Sequence, residues 1–139
     1  MNMSGERKDI SFNHPTLEQV HFHINDDFLP DEFNGFENMD YTIKIKELNQ
    51  NNEKVEKSLI SFHLTLGGKD IRYPFEISIT YKAIFEWTNQ SEIEKNDFLK
   101  INAPAILYSY CRPVISNLTG YSGFPPLDLP FYNFTKEEN

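Results

Sequence analysis

Between residues 73 and 87 the chain reads YPFEISITYKAIFEW, and for most of that length apolar and polar residues take turns. Tyr73, Phe75, Ile77, Ile79, Tyr81, Phe85 and Trp87 fall on one face, with Glu76, Ser78, Thr80, Lys82 and Glu86 on the other. Successive strand side chains point to opposite faces, so this run predicts a long strand buried on one side. Two earlier runs share the period. Tyr41, Ile43 and Ile45 alternate with Thr42, Lys44 and Lys46, while Ile60, Phe62, Leu64 and Leu66 oppose Ser61, His63 and Thr65. A polar turn at 49–57 separates these two, and Gly67-Gly68, able to supply the positive φ of a tight hairpin, precedes the third. Three such strands on short connections predict an antiparallel meander with one apolar and one solvated face. Pro74 cannot donate to a ladder and suits a strand end.

The period then changes. After a polar link at 88–98, Ala103, Ile106, Leu107, Tyr110, Cys111, Val114, Ile115 and Leu118 recur at three- and four-residue steps. They predict one amphipathic helix over 102–118, with Asn102 as its N-cap and Gly120 as its stop. Pro113 lies inside and predicts a kink in the last two turns. Upstream, residues 8–13 predict a short strand. Residues 14–36, with two prolines, acidic pairs and scattered Phe, predict a long connection of the kind that is often functional.

The expected architecture is α+β: an antiparallel sheet followed by one packed helix, in a single domain spanning 1–139. A strand from 73 to 87 spans about 50 Å, more than one helix can cover. Another copy of the chain is the natural cover for the remainder.

Composition excludes several functions. Thirteen Lys+Arg against twenty-one Asp+Glu give a net charge of −8, with no basic run longer than Arg7-Lys8. That disfavours nucleic acid and anionic membrane surfaces, which need basic patches. No stretch approaches the roughly 18 apolar residues of a membrane span, and residues 1–12 hold no signal-like apolar core. One cysteine, Cys111, permits no internal disulfide and points to the reducing cytoplasm.

Catalytic motifs are missing as well. His21 and His23, near Asp26 and Asp27, are the best metal-ligand pair, but no cysteine accompanies them and solvated loop histidines are the plainer reading. Cys111, on an apolar helix face, lacks the setting of a nucleophile. The Leu66–Lys69 segment has neither the spacing nor the following helix of a phosphate loop. No catalytic residue, metal or cofactor is expected.

Aromatic residues remain: twelve Phe, seven Tyr and one Trp. Phe22, Phe28, Leu29, Phe33 and Phe36 lie in the long connection. Phe124, Phe131, Tyr132 and Phe134 lie in the proline-ordered strap GYSGFPPLDLPFYNF that closes the chain. Together they exceed what a small core needs and suit a groove for extended apolar polypeptide.

Three segments resemble one family. RKDISFNHP (7–15) is similar to the first strand and proline exit of the bacterial protein-export chaperone SecB, and FEISITYKAIFEW (75–87) to its long last strand. Residues 102–134 resemble its main helix and the Phe-Pro strap that follows. The resemblance implies four antiparallel strands, a long crossover loop after strand 1 at about 14–36, and one main helix at about 102–118. It implies a tetramer, a dimer of dimers with helices between sheets, although periodicity alone does not separate dimer from tetramer. It further implies an ATP-independent holdase for unfolded polypeptides, with Phe22, Phe28, Leu29, Phe33, Phe36, Phe124 and Phe131 lining the client groove.

Family members dock the export ATPase SecA through acidic residues on the outer sheet face. Asp9 matches one such position; Asn13 and Ser78 stand where two others are acidic, with Glu76 two residues from Ser78. Members also continue past the strap into a second helix and acidic tail, whereas this sequence runs to Asn139. Pro113 replaces the usual polar residue after Arg112. Some relatives instead protect an antitoxin of a toxin–antitoxin system, so a dedicated adaptor for one partner is the alternative to a general holdase.

Overall fold

The strand β5 (Phe75–Trp87) carries the rest of the sheet. It is seen in a computed structural model that describes residues 10–36, 39–48, 55–88 and 92–135. Phe75, Ile77, Ile79, Ala83, Phe85 and Trp87 are buried on one face of β5, as the alternation requires. Antiparallel to it runs β4 (Glu56–Gly67), with Ile60, Phe62, Leu64 and Leu66 buried beside them. β3 (Met39–Glu47) completes the meander on the far side of β4. Full burial of a side chain the size of Phe62 or Phe85 contributes about 2–3 kcal/mol.

The other edge of β5 is occupied by two segments rather than one. β1 (Ile10–Phe12) pairs with it from Ile10↔Trp87 to Phe12↔Phe85, and β2 (Thr16–Ile24) from Thr16↔Lys82 to Ile24↔Phe75. The sheet therefore has five strands, in the order β1-β5-β4-β3 with β2 also on β5. Asn13 bridges the break: its N–H donates to Ile84 O (3.2 Å) and its Oδ1 accepts the Ile84 N–H (2.9 Å). The first part of the loop expected at 14–36 is thus strand, and the crossover begins only at residue 25. A register shift between Leu17 and Gln19 puts the two ends of β2 out of phase. Leu17, Val20 and Ile24 are also exposed and only Phe22 is half-buried, so no clean alternation could announce it.

Three boundaries move for local reasons. Gly67 does take a positive φ (+76°), but residues 68–74 make a wide turn and β5 begins at Phe75 rather than Tyr73. The polar link is helical from Glu92: α1 (Glu92–Asp97), a π-helical stretch (Phe98–Asn102) and α2 (Ala103–Tyr121) follow one another directly. Asn102 is therefore helical (φ −75°, ψ −47°) and caps nothing. Phe98 anchors the early turns, its ring 5.5 Å from Phe85 and 5.8 Å from Trp87. The stop also falls later than Gly120. Gly123 takes φ +88°, and the Phe124 N–H donates to Thr119 O (3.1 Å), closing the end in the manner of a left-handed C-cap. Pro113 is exposed, and the helix continues through it.

Leu107, Tyr108, Cys111 and Ile115 seat α2 on β4 and β5. The chain then turns back along the helix as the strap. Leu127 N–H donates to Thr119 Oγ1 (2.8 Å), Ser116 Oγ to Asp128 Oδ1 (3.1 Å), Arg112 Nε to Leu129 O (2.8 Å) and Tyr108 Oη to Pro130 O (2.6 Å). These four helix residues lie at three- and four-residue steps, so one stripe of α2 grips the whole strap. Phe134 at its end packs on Tyr41, Phe62 and Tyr108 (5.1, 5.9 and 5.7 Å). The strap thereby covers the β3–β4 side. On the β1–β2 side, Ile10, Phe12, Leu17, Val20 and Ile24 share the helix-bearing face and remain exposed.

Candidate functional site

Beyond the end of β2 the crossover folds against the β4–β5 turn, and there the aromatic side chains converge. Phe28 meets Phe33 edge-on (5.9 Å between ring centroids), Phe33 meets Phe36 (5.2 Å), and Phe36 meets both Tyr73 (6.1 Å) and Phe75 (5.1 Å). Phe75 in turn touches Phe22 from β2 (5.4 Å) and Phe124 from the strap (5.4 Å). Seven rings from four separate parts of the chain thus make one connected patch with Phe75 at its hub. Offset and edge-to-face ring pairs each add roughly 0.5–1.5 kcal/mol beyond simple burial. The patch nevertheless stays open to solvent: Leu29 is 47% exposed and Phe33 36%.

Proline chemistry shapes the open side. Pro30 begins a 3-10 turn (Pro30–Glu32) that projects Leu29 and Phe33 from either end. Asp31 and Glu32 are exposed in that turn next to Phe33, giving an aromatic floor with an acidic margin. Across it, the turn 68–74 is braced by Arg72, whose N–H and Nε donate to the two carboxylate oxygens of Asp70, both at 3.0 Å. Those bonds hold the Asp70 carboxyl below its ordinary range.

Of the seven residues expected to line a groove, Phe22, Phe28, Phe33, Phe36 and Phe124 belong to the connected patch, and Leu29 adjoins it in the chain. Phe131 does not. It stands on the outer side of the strap, 83% exposed, with no ring neighbour described. Phe75 keeps its place on the buried face of β5 and is also the hub of the patch, with Tyr73 beside it just before the strand. A proline between two aromatic residues at a strand entrance was the available signal.

The opposite face of the sheet is polar. Glu76 lies 3.0 Å from His21 Nε2, Glu18 lies 2.8 Å from Lys82, and Glu86 lies 3.8 Å from Lys57. Ser78, opposite His21 in the register, is neutral, and Asn13 is spent on the Ile84 backbone. Asp9 lies outside the described residues. The expected acidic docking positions therefore do not form a free carboxylate cluster among the described residues.

His21 and His23 share this outer face with Lys69, Asp26, Asp27 and Glu76 around an open cleft of about 460 Å³. Among the described residues no three His, Cys, Asp or Glu side chains are grouped to hold a metal. They sit on a strand rather than in a loop. Cys111 is wholly buried, and burial pushes its thiol up to about 12. A thiol so protonated is no nucleophile. No helix among the described residues is long and apolar enough to cross a membrane.

Comparison with known proteins agrees with this architecture. A protein-export protein SecB of Orientia tsutsugamushi is 30% identical over 129 residues, 93% of this chain and 74% of that one. The SecB of Anaplasma phagocytophilum is 28% identical over 133 residues, 92% of this chain and 83% of its own. Among solved structures, a Streptococcus agalactiae protein of unknown function superposes with a TM-score of 0.62 at 16% identity, covering 91% of this chain and all of that one. A Mycobacterium tuberculosis SecB-like chaperone in complex with a ChAD peptide from the HigA1 antitoxin superposes with a TM-score of 0.56 at 17% identity, covering 88% and 90%. The family of preprotein translocase subunit SecB matches residues 7–136. The sheet, the helix with its returning strap and this match over nearly the whole sequence lead to one conclusion: the chain belongs to the SecB family of protein-export chaperones.

Proposed function

We propose that this chain is an ATP-independent holdase that binds extended apolar segments of unfolded polypeptides at the patch around Phe75. The observation that carries the reading is the aromatic floor of Phe22, Phe28, Phe33, Phe36 and Phe124 packed around the buried Phe75, bordered by Asp31 and Glu32 and left partly exposed. Exposed apolar patches of this kind are binding surfaces, and aromatic side chains adapt to varied sequences better than a shape-matched pocket does. The work is done by binding alone. The chain would act in the cytoplasm, as no enzyme and with no cofactor.

The working particle is a tetramer, a dimer of dimers. Support comes from the β1–β2 edge, where Ile10, Phe12, Leu17, Val20 and Ile24 lie exposed on the helix-bearing face. A further copy would cover them.

One observation favours a second reading, an adaptor for a single partner such as an antitoxin. The positions that would serve SecA are neutral at Asn13 and Ser78, and Glu76 is engaged by His21. Such a face suits a chaperone released from general export.

Light scattering of the purified chain, alone and with a reduced, carboxymethylated unfolded protein, tests the main reading. A particle of four chains that takes up the unfolded chain and ignores its folded form is expected. A stable monomer indifferent to unfolded chains would refute it. Saturable binding to one peptide sequence, with no general uptake, would select the adaptor.

A further inference from the structure

We propose that Asn25 is the positioning residue of the aromatic groove, a latch whose amide ties the start of the crossover to the β4–β5 turn. The inference rests on the client-groove reading and adds what holds that groove in shape.

The crossover leaves β2 at Ile24 and reaches the body of the molecule mainly through ring faces. Ring pairs are satisfied over a span of centroid distances of about 4.5–7 Å, so they leave room for sliding. Hydrogen bonds are directional, and Asn25 makes three. Its backbone N–H donates to Pro74 O (2.9 Å), and Nδ2 donates to Tyr73 O (2.9 Å) and to Gly68 O. An amide nitrogen carries two protons, so both donors of the side chain are used. Gly68 and Tyr73 stand near opposite ends of the turn 68–74. One side chain therefore spans the turn, and the Leu29 N–H then donates to Ile71 O (2.9 Å) in its middle.

The grip reaches the floor by short paths. Tyr73, whose carbonyl is held, stacks on Phe36 with ring planes 12° apart. Pro74, bonded to the Asn25 backbone, leads directly into Phe75, the hub of the patch. Movement of the turn away from Asn25 would separate Phe36 from Tyr73 and Phe75. Few other side chains can do this. A carboxylate would turn acceptors toward two carbonyl oxygens, a hydroxyl has one proton, and an alanine has none.

The test uses the full chain with Asn25→Ala and Asn25→Asp. Amide exchange at Leu29 reads the latch without any client, and titration with a reduced, carboxymethylated unfolded protein reads the groove. Both variants should exchange Leu29 at least about tenfold faster and bind the unfolded chain about tenfold more weakly, with particle mass and melting temperature close to the parent. Asn25→Asp should weaken further as pH rises, because the ionised carboxylate loses the one proton its acid form could donate. Parental exchange at Leu29, or parental client affinity in either variant, overturns the positioning role alone. A parent that binds no unfolded chain overturns the groove reading, and the role with it.

Discussion

Thr119 and Leu127 are joined by a single hydrogen bond that turns the chain back on itself: the Leu127 N–H donates to Thr119 Oγ1 at 2.8 Å. The same hydroxyl donates to Ile115 O (2.9 Å) and approaches Ser116 O (3.1 Å), and Thr119 is wholly buried. A hydroxyl is both donor and acceptor, which an isosteric valine is not. Thr119→Val should therefore leave the Leu127 N–H without its partner at a cost of about 1–3 kcal/mol. Chemical denaturation measures the loss, and faster amide exchange at Leu127 should accompany it. An unchanged midpoint would show that the strap is held by its aromatic residues alone.

Alkaline stability follows from burial. Burial raises the Tyr108 and Tyr81 hydroxyls and pushes Cys111 up to about 12. Each of these groups ionises in the unfolded chain before it does in the folded one. Its contribution is complete below the unfolded pKa, near 9 for the thiol, and is lost as pH rises toward the folded value. Stability should fall from about pH 9 upward by as much as about 1.4 kcal/mol per unit for each fully linked proton. Cys111→Ala should be slightly less stable at pH 7 yet show a shallower decline from pH 9 to 12. Equal slopes in the two proteins would remove the thiol from the account.

The patch predicts a contrast between two phenylalanines. Phe131 stands apart and is 83% exposed, whereas Phe33 links Phe28 to Phe36. Phe131→Ser should leave both melting temperature and affinity for an unfolded chain unchanged. Phe28→Ser with Phe33→Ser should weaken that affinity at least tenfold while the particle mass stays the same. Full suppression of aggregation by the double variant would count against the groove.

Two glycines separate strain from collision. Both Gly35 (φ +90°) and Gly67 (φ +76°) occupy the left-handed region, but a Cβ on Gly35 meets open space. On Gly67 it would lie 2.1 Å from Phe75 O, in the backbone that starts β5. Gly35→Ala should cost about 1–2 kcal/mol from backbone strain. Gly67→Ala should cost more, since the β4–β5 turn must move as well. Thermal melts of the two variants decide it, and equal losses would mean that the turn yields freely.

What the sequence revealed depended on burial. β4 and β5 each bury most of one face, so Ile60 to Leu66 and Phe75 to Trp87 printed a clear period of two. β2 lies at an edge with Leu17, Val20 and Ile24 exposed and a register shift near its start, so the same physics left a blurred pattern that passed for a loop. The helix core was legible, but its ends were not. Asn102 has the chemistry of a cap, yet Phe98 packs on Trp87 and carries the helix back past it. Gly120 has the freedom to stop a helix, and Gly123 uses it. The site was half visible: the Phe residues of the crossover drew notice by number, while Asn25 gave no signal because its partners lie 43 and 48 residues away.

Three of the four hydrogen bonds that grasp the strap take hold of its backbone. Leu127 offers its N–H, and Leu129 and Pro130 offer their carbonyl oxygens, to side chains that all belong to α2. Main-chain groups are common to nearly every amino acid, so the instructions for the path of the strap are written in the helix. Mutations at outward positions such as Pro126 and Phe131 can accumulate without redirecting the chain. Descendants of this protein are thus free to repaint that surface for new neighbours while Tyr108, Arg112 and Thr119 keep its course unchanged.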